Sequence, residues 1–267
     1  MKLKFYKMHG LGNDFAIFDQ RENNHEFTKE QIISLADRRL GIGCDQFIIL
    51  KSCETADVQM QIYNPDASRA EACGNAMRCI AKLLGQPKSS IKVNERLLSA
   101  EILNDGNVRV NMGQPSYDWQ QIPLKSEIYP INMRFENVAN DFEHGHAVSM
   151  GNPHLVFFVS DLKELDITAN GSYFENHQYF PNRTNVNFAQ IINDGEINLT
   201  TWERGTGQTP ACGSGACATQ AIAHAIGHTK NKAKINLQHG SLIIEVLPDG
   251  IYMTGNSTLV FTGEIIL

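Results

Sequence analysis

In the stretch DVQMQIYN, Val58, Met60 and Ile62 alternate with polar residues, the period-two signature of a strand with one buried face. It predicts a strand over 57–64. Comparable apolar runs predict strands over 3–8, 14–19 and 46–52 before it, and over 90–95, 97–103 and 107–112 after it, the last two joined by a hairpin turn at Asn104-Asp105-Gly106. Helical spacing takes over twice. Ile32, Ile33, Leu35, Ala36 and Leu40 predict a helix that starts near Thr28 and ends at Gly41. A second helix opens at ACGNAMRC, carries Ile80, Leu83 and Leu84, and stops at Gly85-Gln86-Pro87. The order then recurs: strands over 145–150 and 154–160, one short helix near 168–177, strands over 185–192 and 196–203, a long helix in ACGSGACATQAIAHAIG ended by Gly227, and strands over 233–239, 241–247 and 250–254. Pro115, Pro123 and Pro130 mark 114–130 as a crossover, and a last strand covers 258–267.

Polar landmarks repeat with one constant offset of 139 residues: Gly12-Asn13 as Gly151-Asn152, Gln46 as Asn185, Asn64 as Glu203, and Ala72-Cys73-Gly74-Asn75 as Ala211-Cys212-Gly213-Ser214. A duplicated chain must keep its apolar core in both copies. Here the best-matched positions are instead polar, Gly or Cys, as expected of two copies of one domain that share a site. The expected domains are 1–115, completed by the strand 258–267, and 116–257. Each long helix is apolar on most faces and is therefore expected to be surrounded. The fold class that follows is α+β, with two homologous, pseudo-symmetric domains, each a curved mixed or antiparallel sheet wrapped round a central helix.

Composition narrows the function. Apolar content of 42% is ordinary for a globular chain, and a net charge of −6 with scattered basic residues gives no sign of a nucleic-acid partner or an anionic membrane. No segment has the length of a membrane-spanning helix, and the N-terminus lacks a secretion signal's apolar run, so a cytoplasmic location is expected. In a reducing compartment the six cysteines are buried hydrophobes or reactive thiols, not disulfides.

Cys73 and Cys212 each stand just before a helix and are followed by glycine. The helix N-terminus carries partial positive charge that favours thiolate, and its unpaired N–H groups can receive a carboxylate where glycine leaves the backbone bare. Two such thiols flanking one carboxylate suit removal of an amino acid's α-proton from one face and its return from the other. Cys79 and Cys217 point elsewhere on their helices, and Cys44 and Cys53 flank an apolar strand; all four read as structural. The spacings are not those of zinc sites, and no histidine lies within either motif, so no metal is expected. A pyridoxal cofactor is not expected either, since no lysine stands beside a glycine-rich phosphate cradle.

The strings MHGLGNDF, ADRRLGIGCDQ, YNPDAS, ACGNAMRC, MGNPH, RTNVNF and WERGTGQTPACGSGACA resemble the diaminopimelate epimerase family, in order from Lys7 to about Cys217. The resemblance implies a cofactor-independent isomerase of lysine and peptidoglycan synthesis that interconverts LL- and meso-diaminopimelate. It implies two homologous domains that close on a small-molecule substrate, with one cysteine supplied by each. Cys73 and Cys212 are then the acid–base pair, Gly74-Asn75 and Gly213-Ser214 bind the α-carboxylate, and Asn13, Gln46, Asn64, Asn152, Asn185, Glu203 and Arg204 line the pocket. His154 and Glu203 sit near the thiols and set their protonation. A homodimer is compatible with this reading. Ala67 and Ala76 depart from the family pattern, which usually has glycine at each position; Ala76 fits only if the helix has already begun there. Alternatives are another cofactor-independent amino-acid racemase of the same fold, or a non-catalytic amino-acid-binding protein, which would have no need of matched thiols.

Overall fold

The computed structural model describes residues 2–23, 25–70 and 73–267. Ala72, one member of the repeat, lies outside the described residues. The chain divides into two compact units, Met1–Val110 with Gly255–Leu267, and Asn111–Thr254.

In the first unit β1 (Lys2–Gly10) and β2 (Asn13–Asp19) form a hairpin. Then α1 (Lys29–Ala36) leads to β3 (Gln46–Lys51) and β4 (Val58–Tyr63), and α2 (Gly74–Leu84) leads to β5 (Lys88–Val93), β6 (Arg96–Ile102) and β7 (Val108–Asn111). Successive pairings are antiparallel, parallel, antiparallel, parallel, antiparallel and antiparallel. The second unit contains β8 (Met133–Arg134), β9 (His144–Ser149), β10 (Pro153–Phe158), α3 (Ile167–Glu175), β11 (Asn185–Asn193), β12 (Glu196–Glu203), β13 (Gly207–Thr209), α4 (Gly213–Ala225), β14 (Lys232–Leu237), β15 (Gly240–Leu247) and β16 (Gly250–Gly255). From β9 onward, with β13 set aside, the same six senses of pairing recur in the same order. Register follows the repeat as well: Phe15 lies opposite Gln46 and His154 opposite Asn185, while Phe47 lies opposite Tyr63 and Val186 opposite Trp202. The last strand, β17 (Thr258–Ile266), pairs antiparallel with β1. Each unit is α+β.

Both sheets bury two faces. In the first unit α2 packs against β1, β5 and β6, strands far apart in the sheet, so the sheet must curl round the helix. Gly74 through Ala81 are all buried, and Gly85 ends the helix in the left-handed conformation at φ 69°. On the opposite face Phe18, Phe47, Ile49 and Phe5 pack with Ile32 and Ala36 of α1. The second unit encloses α4 against β9, β10, β11, β14 and β15, and collects Phe135, Phe142, Phe157, Phe174 and Phe188 on its other face.

Local chemistry moves some predicted boundaries. Thr28 and Gln31 close a capping box at the start of α1, as the position of Thr28 predicts. The helix ends at Ala36 rather than near Gly41, because the Asp37 carboxylate accepts from the Arg39 and Leu40 amides, both at 2.7 Å, and offers the backbone a turn instead. Leu40 is consequently 90% exposed. Strand β5 ends at Val93, not Glu95, since Asn94 adopts φ 52° and the chain turns there. Among the described residues no helix is long and apolar enough to cross a membrane.

Candidate active site

Side chains two residues apart on a strand share a face. Asn13 therefore stands in line with Phe15 and Ile17, Gln46 with Ile48 and Leu50, and Asn64 follows directly on β4. Of these, Asn13 meets the N-terminus of α2, whereas Asn64 donates to Ser68 Oγ at 3.0 Å. Cys73 is the residue before that helix, with φ −112° and ψ 113°, and its Sγ lies 3.5 Å from Asn13 Oδ1. Asn75, buried in the first turn, donates to the same Asn13 oxygen at 3.2 Å. Asn13 in turn donates to Asp45 at 3.1 Å, and Asp45 is tied to Arg38. Arg78 is fully buried beneath the turn. It donates to Asn75 Oδ1 at 2.7 Å and to the carbonyls of Gly74 and Asn256. Gly10 stays bare because a Cβ there would lie 2.8 Å from the Arg78 guanidinium. Gln46 Oε1 is buried without a hydrogen-bond partner among the described residues, an acceptor waiting for a donor.

The second unit repeats this scaffold with other groups. Cys212 precedes α4 with φ −110° and ψ 110°, and its sulfur accepts from the Gly215 amide at 3.4 Å and sits 3.5 Å from Ser214 Oγ. Asn152 precedes β10, Asn185 begins β11 and Glu203 ends β12. Asn185 is already committed to backbone, donating to the Pro153 carbonyl at 2.8 Å and accepting from the Arg204 amide at 3.0 Å. Thr209 donates its hydroxyl to the Glu203 carboxylate. His154, fully buried, lies 3.0 Å from Asn152 Oδ1 and 3.2 Å from Asn187 Nδ2.

Burial sets the charges. It pushes the Cys212 thiol well above its ordinary range, and the neighbouring Glu203 carboxylate adds to the rise, outweighing the helix N-terminus that the sequence suggested would favour thiolate. Cys212 is therefore a thiol in this state. Burial, with a smaller contribution from Arg204, pushes the His154 ring down to about 3, so it is neutral at physiological pH. Burial also raises Cys44 to about 11 and Cys79 to about 12, which makes both inert. Cys217 is buried, whereas Cys53 is only partly covered, with Sγ 3.4 Å from Thr55 Oγ1.

Several residues that shape the site were not singled out from sequence. Glu175 of α3 is buried and holds the 203–207 turn, accepting from the Gly205 amide at 2.8 Å and from the Trp202 indole at 2.7 Å. Asn187 and Thr201 lie on the site face of their strands, and Arg78 lies under Asn75. For Asn187 and Thr201 the available signal was a polar residue at a strand position whose parity makes it buried. Of the two departures from glycine, Ala76 lies inside α2 and is unstrained, whereas Ala67 adopts φ 62°.

The profile of a protein family described as diaminopimelate epimerase matches residues 5–117 and 146–260. Relatives named diaminopimelate epimerase include one from Sphingopyxis alaskensis, 43% identical and covering 98% of this chain and 96% of its own length. Another, from Methanococcus maripaludis, is 39% identical, with 98% and 99% covered. Solved structures with the same fold include a phenazine biosynthesis protein of the PhzF family from Bacillus anthracis, with TM-score 0.71, 14% identity and full coverage of both chains. A hydroxyproline epimerase from Agrobacterium vitis matches with TM-score 0.69 and 14% identity, covering 99% of this chain and 91% of its own.

Proposed function

The chain belongs to the diaminopimelate epimerase family, and on that premise we propose that Cys73 and Cys212 are its acid–base pair. The protein is an isomerase that acts on diaminopimelate, interconverting the LL and meso forms. Inversion at a carbon whose proton is barely acidic needs one group to withdraw a proton and a second to return one on the opposite face. One thiol must therefore start deprotonated and the other protonated. Cys212, buried beside Glu203, suits the protonated start. The base in that direction is then Cys73, and the roles exchange in reverse.

One observation carries the reading. Both cysteines precede a helix with nearly the same backbone angles, and each helix begins with glycine. The backbone amides of Gly74-Asn75 and Gly213-Ser214, at the two helix N-termini, receive the α-carboxylate and stabilise the carbanion-like state. The orphaned Gln46 oxygen is an acceptor for an ammonium group. Asn13, Asn64, Asn152, Asn185 and Glu203 supply further polar contacts, and the Arg204 guanidinium can fork onto the distal carboxylate. His154 supports Asn152 from below. The reaction so drawn uses no pyridoxal phosphate or metal, and serves lysine and peptidoglycan-precursor synthesis in the cytoplasm.

The test is LL-diaminopimelate in D₂O. Deuterium should enter at the α-carbon as the meso form appears, which separates an epimerase from a binding protein. Replacing either Cys73 or Cys212 by Ala should lower the rate by about 10²–10⁴-fold. A Cys212→Ala protein that epimerises at the parent rate would sink the two-thiol reading.

A further inference from the structure

Two residues deeper along the strands that carry the site lies a second tier of side chains. In the first unit it is Phe15, Ile48 and Ile62, with Ala76 at the matching helix position, all buried. At the equivalent places in the second unit stand His154, Asn187 and Thr201, with Gly215 in the helix, and these side chains are just as buried. The scaffold is therefore buildable with an apolar tier. Burying three polar groups instead is costly unless each is bonded, so the polar tier needs a reason other than folding. The helix makes room for it: a Cβ on Gly215 would collide with Asn187 Oδ1 and lie 3.0 Å from Thr201 Oγ1.

The bonds in this tier run in one direction. The Thr201 hydroxyl donates to Asn187 Oδ1 at 3.1 Å, and Asn187 Nδ2 donates to the Leu155 carbonyl at 3.1 Å and faces His154 Nδ1 at 3.2 Å. Exchanging the ends of the Asn187 amide would set oxygen against the Leu155 carbonyl, so its orientation is determined. A donor facing Nδ1 leaves the ring proton of neutral His154 on Nε2, and that N–H donates to Asn152 Oδ1 at 3.0 Å. The acceptor end of Asn152 is thereby occupied.

We propose that Asn187, braced by Thr201 and acting through His154, is a positioning residue that presents Asn152 to the substrate as a hydrogen-bond donor. The group Asn152 meets is then an acceptor, a carboxylate oxygen, and not an ammonium. That last identification rests on the diaminopimelate reading; the relay itself does not.

The experiment labels the histidine rings with ¹⁵N and reads the His154 tautomer in the ligand-free enzyme at neutral pH. The expected spectrum has the proton on Nε2. Asn187→Asp keeps the side chain's size but sets a carboxylate against Nδ1. It should draw the proton to Nδ1, turn the Asn152 amide round, and raise KM for diaminopimelate about tenfold or more, with a smaller change in kcat. Thr201→Val, whose shape is nearly unchanged, is the variant to read if Asn187→Asp does not fold. It should weaken the Nε2 preference and raise KM in the same sense. A parent enzyme with His154 protonated on Nδ1, or a variant whose tautomer changes while KM does not, overturns the proposal. So does a KM change with no change of tautomer. Because the spectrum needs no substrate, inertness toward diaminopimelate would count against the proposed function and leave the relay to be judged by the spectrum.

Discussion

Two alanines stand where the family pattern has glycine, and their backbones make opposite demands. Ala67 adopts φ 62°, a conformation that costs an L-residue about 1–2 kcal/mol. Ala76 lies within α2 and is fully buried. Ala67→Gly would relieve the strain but lose a buried methyl group and gain unfolded-state freedom, each worth about 0.8 kcal/mol, so its net effect should be within about 1 kcal/mol of zero. Ala76→Gly has no strain to relieve. It loses helix propensity and the same methyl, and should cost about 2 kcal/mol. Urea unfolding of the two variants checks this. Equal losses would mean that Ala67 is unstrained in solution.

At the scale of elements, burial overrides the field of a helix terminus. Cys212 caps α4, yet enclosure and Glu203 hold it protonated. The same enclosure gives the second unit an acid-labile character. Burial lowers His154 to about 3, and burial together with His228 and His144 lowers His146 to about 4, both from 6.5. The unfolded chain thus binds more protons than the folded one below pH 6.5. The stability these neutral rings support is complete above pH 6.5 and is lost as pH falls toward 4 and then 3. Asp14 loses its contribution only at lower pH. Burial works to raise its carboxyl, but hydrogen bonds from Arg38 and Lys7 hold it at about 2. The urea midpoint should therefore decline between pH 6.5 and 4.5. His154→Phe, which installs the first unit's residue, should make that decline shallower whatever its effect at pH 7. An unchanged slope would show that His154 is not the proton sink.

At the scale of the whole chain, both ends belong to one unit. β1 opens the first unit and β17 returns to pair with it over its length, so the second unit is an insertion in sequence between β7 and β17. Several side chains of β17 are exposed, among them Leu259, Val260 and Phe261, so its contribution is backbone pairing, the packing of Ile265 against the core and the contact of Phe261 with Phe5 at 6.0 Å. A chain ending at Ser257 keeps the bonds of Asn256 and Ser257 to Arg78 and Lys82 but leaves β1 as an open edge. It should unfold at lower temperature and aggregate. Truncated protein that melts at the parent temperature would make β17 dispensable.

The repeat, the two long helices, the strand order and the pair of helix-capping cysteines were legible in the sequence, because period-two and helical patterns and a gap-free offset are properties of the chain itself. The return of the last strand to the first domain was expected too, but its place beside β1, the early end of α1 and the turn at Asn94 were settled by pairing partners and by side chains that compete for backbone groups. So was the chemistry of the site. Asn187 and Thr201 look like ordinary polar strand residues in the string, as Ile48 and Ile62 look like ordinary core. The offset of 139 already pairs them, but only the fold shows that both sets are buried, because burial, tautomer and thiol protonation depend on what packs against a residue from elsewhere in the chain.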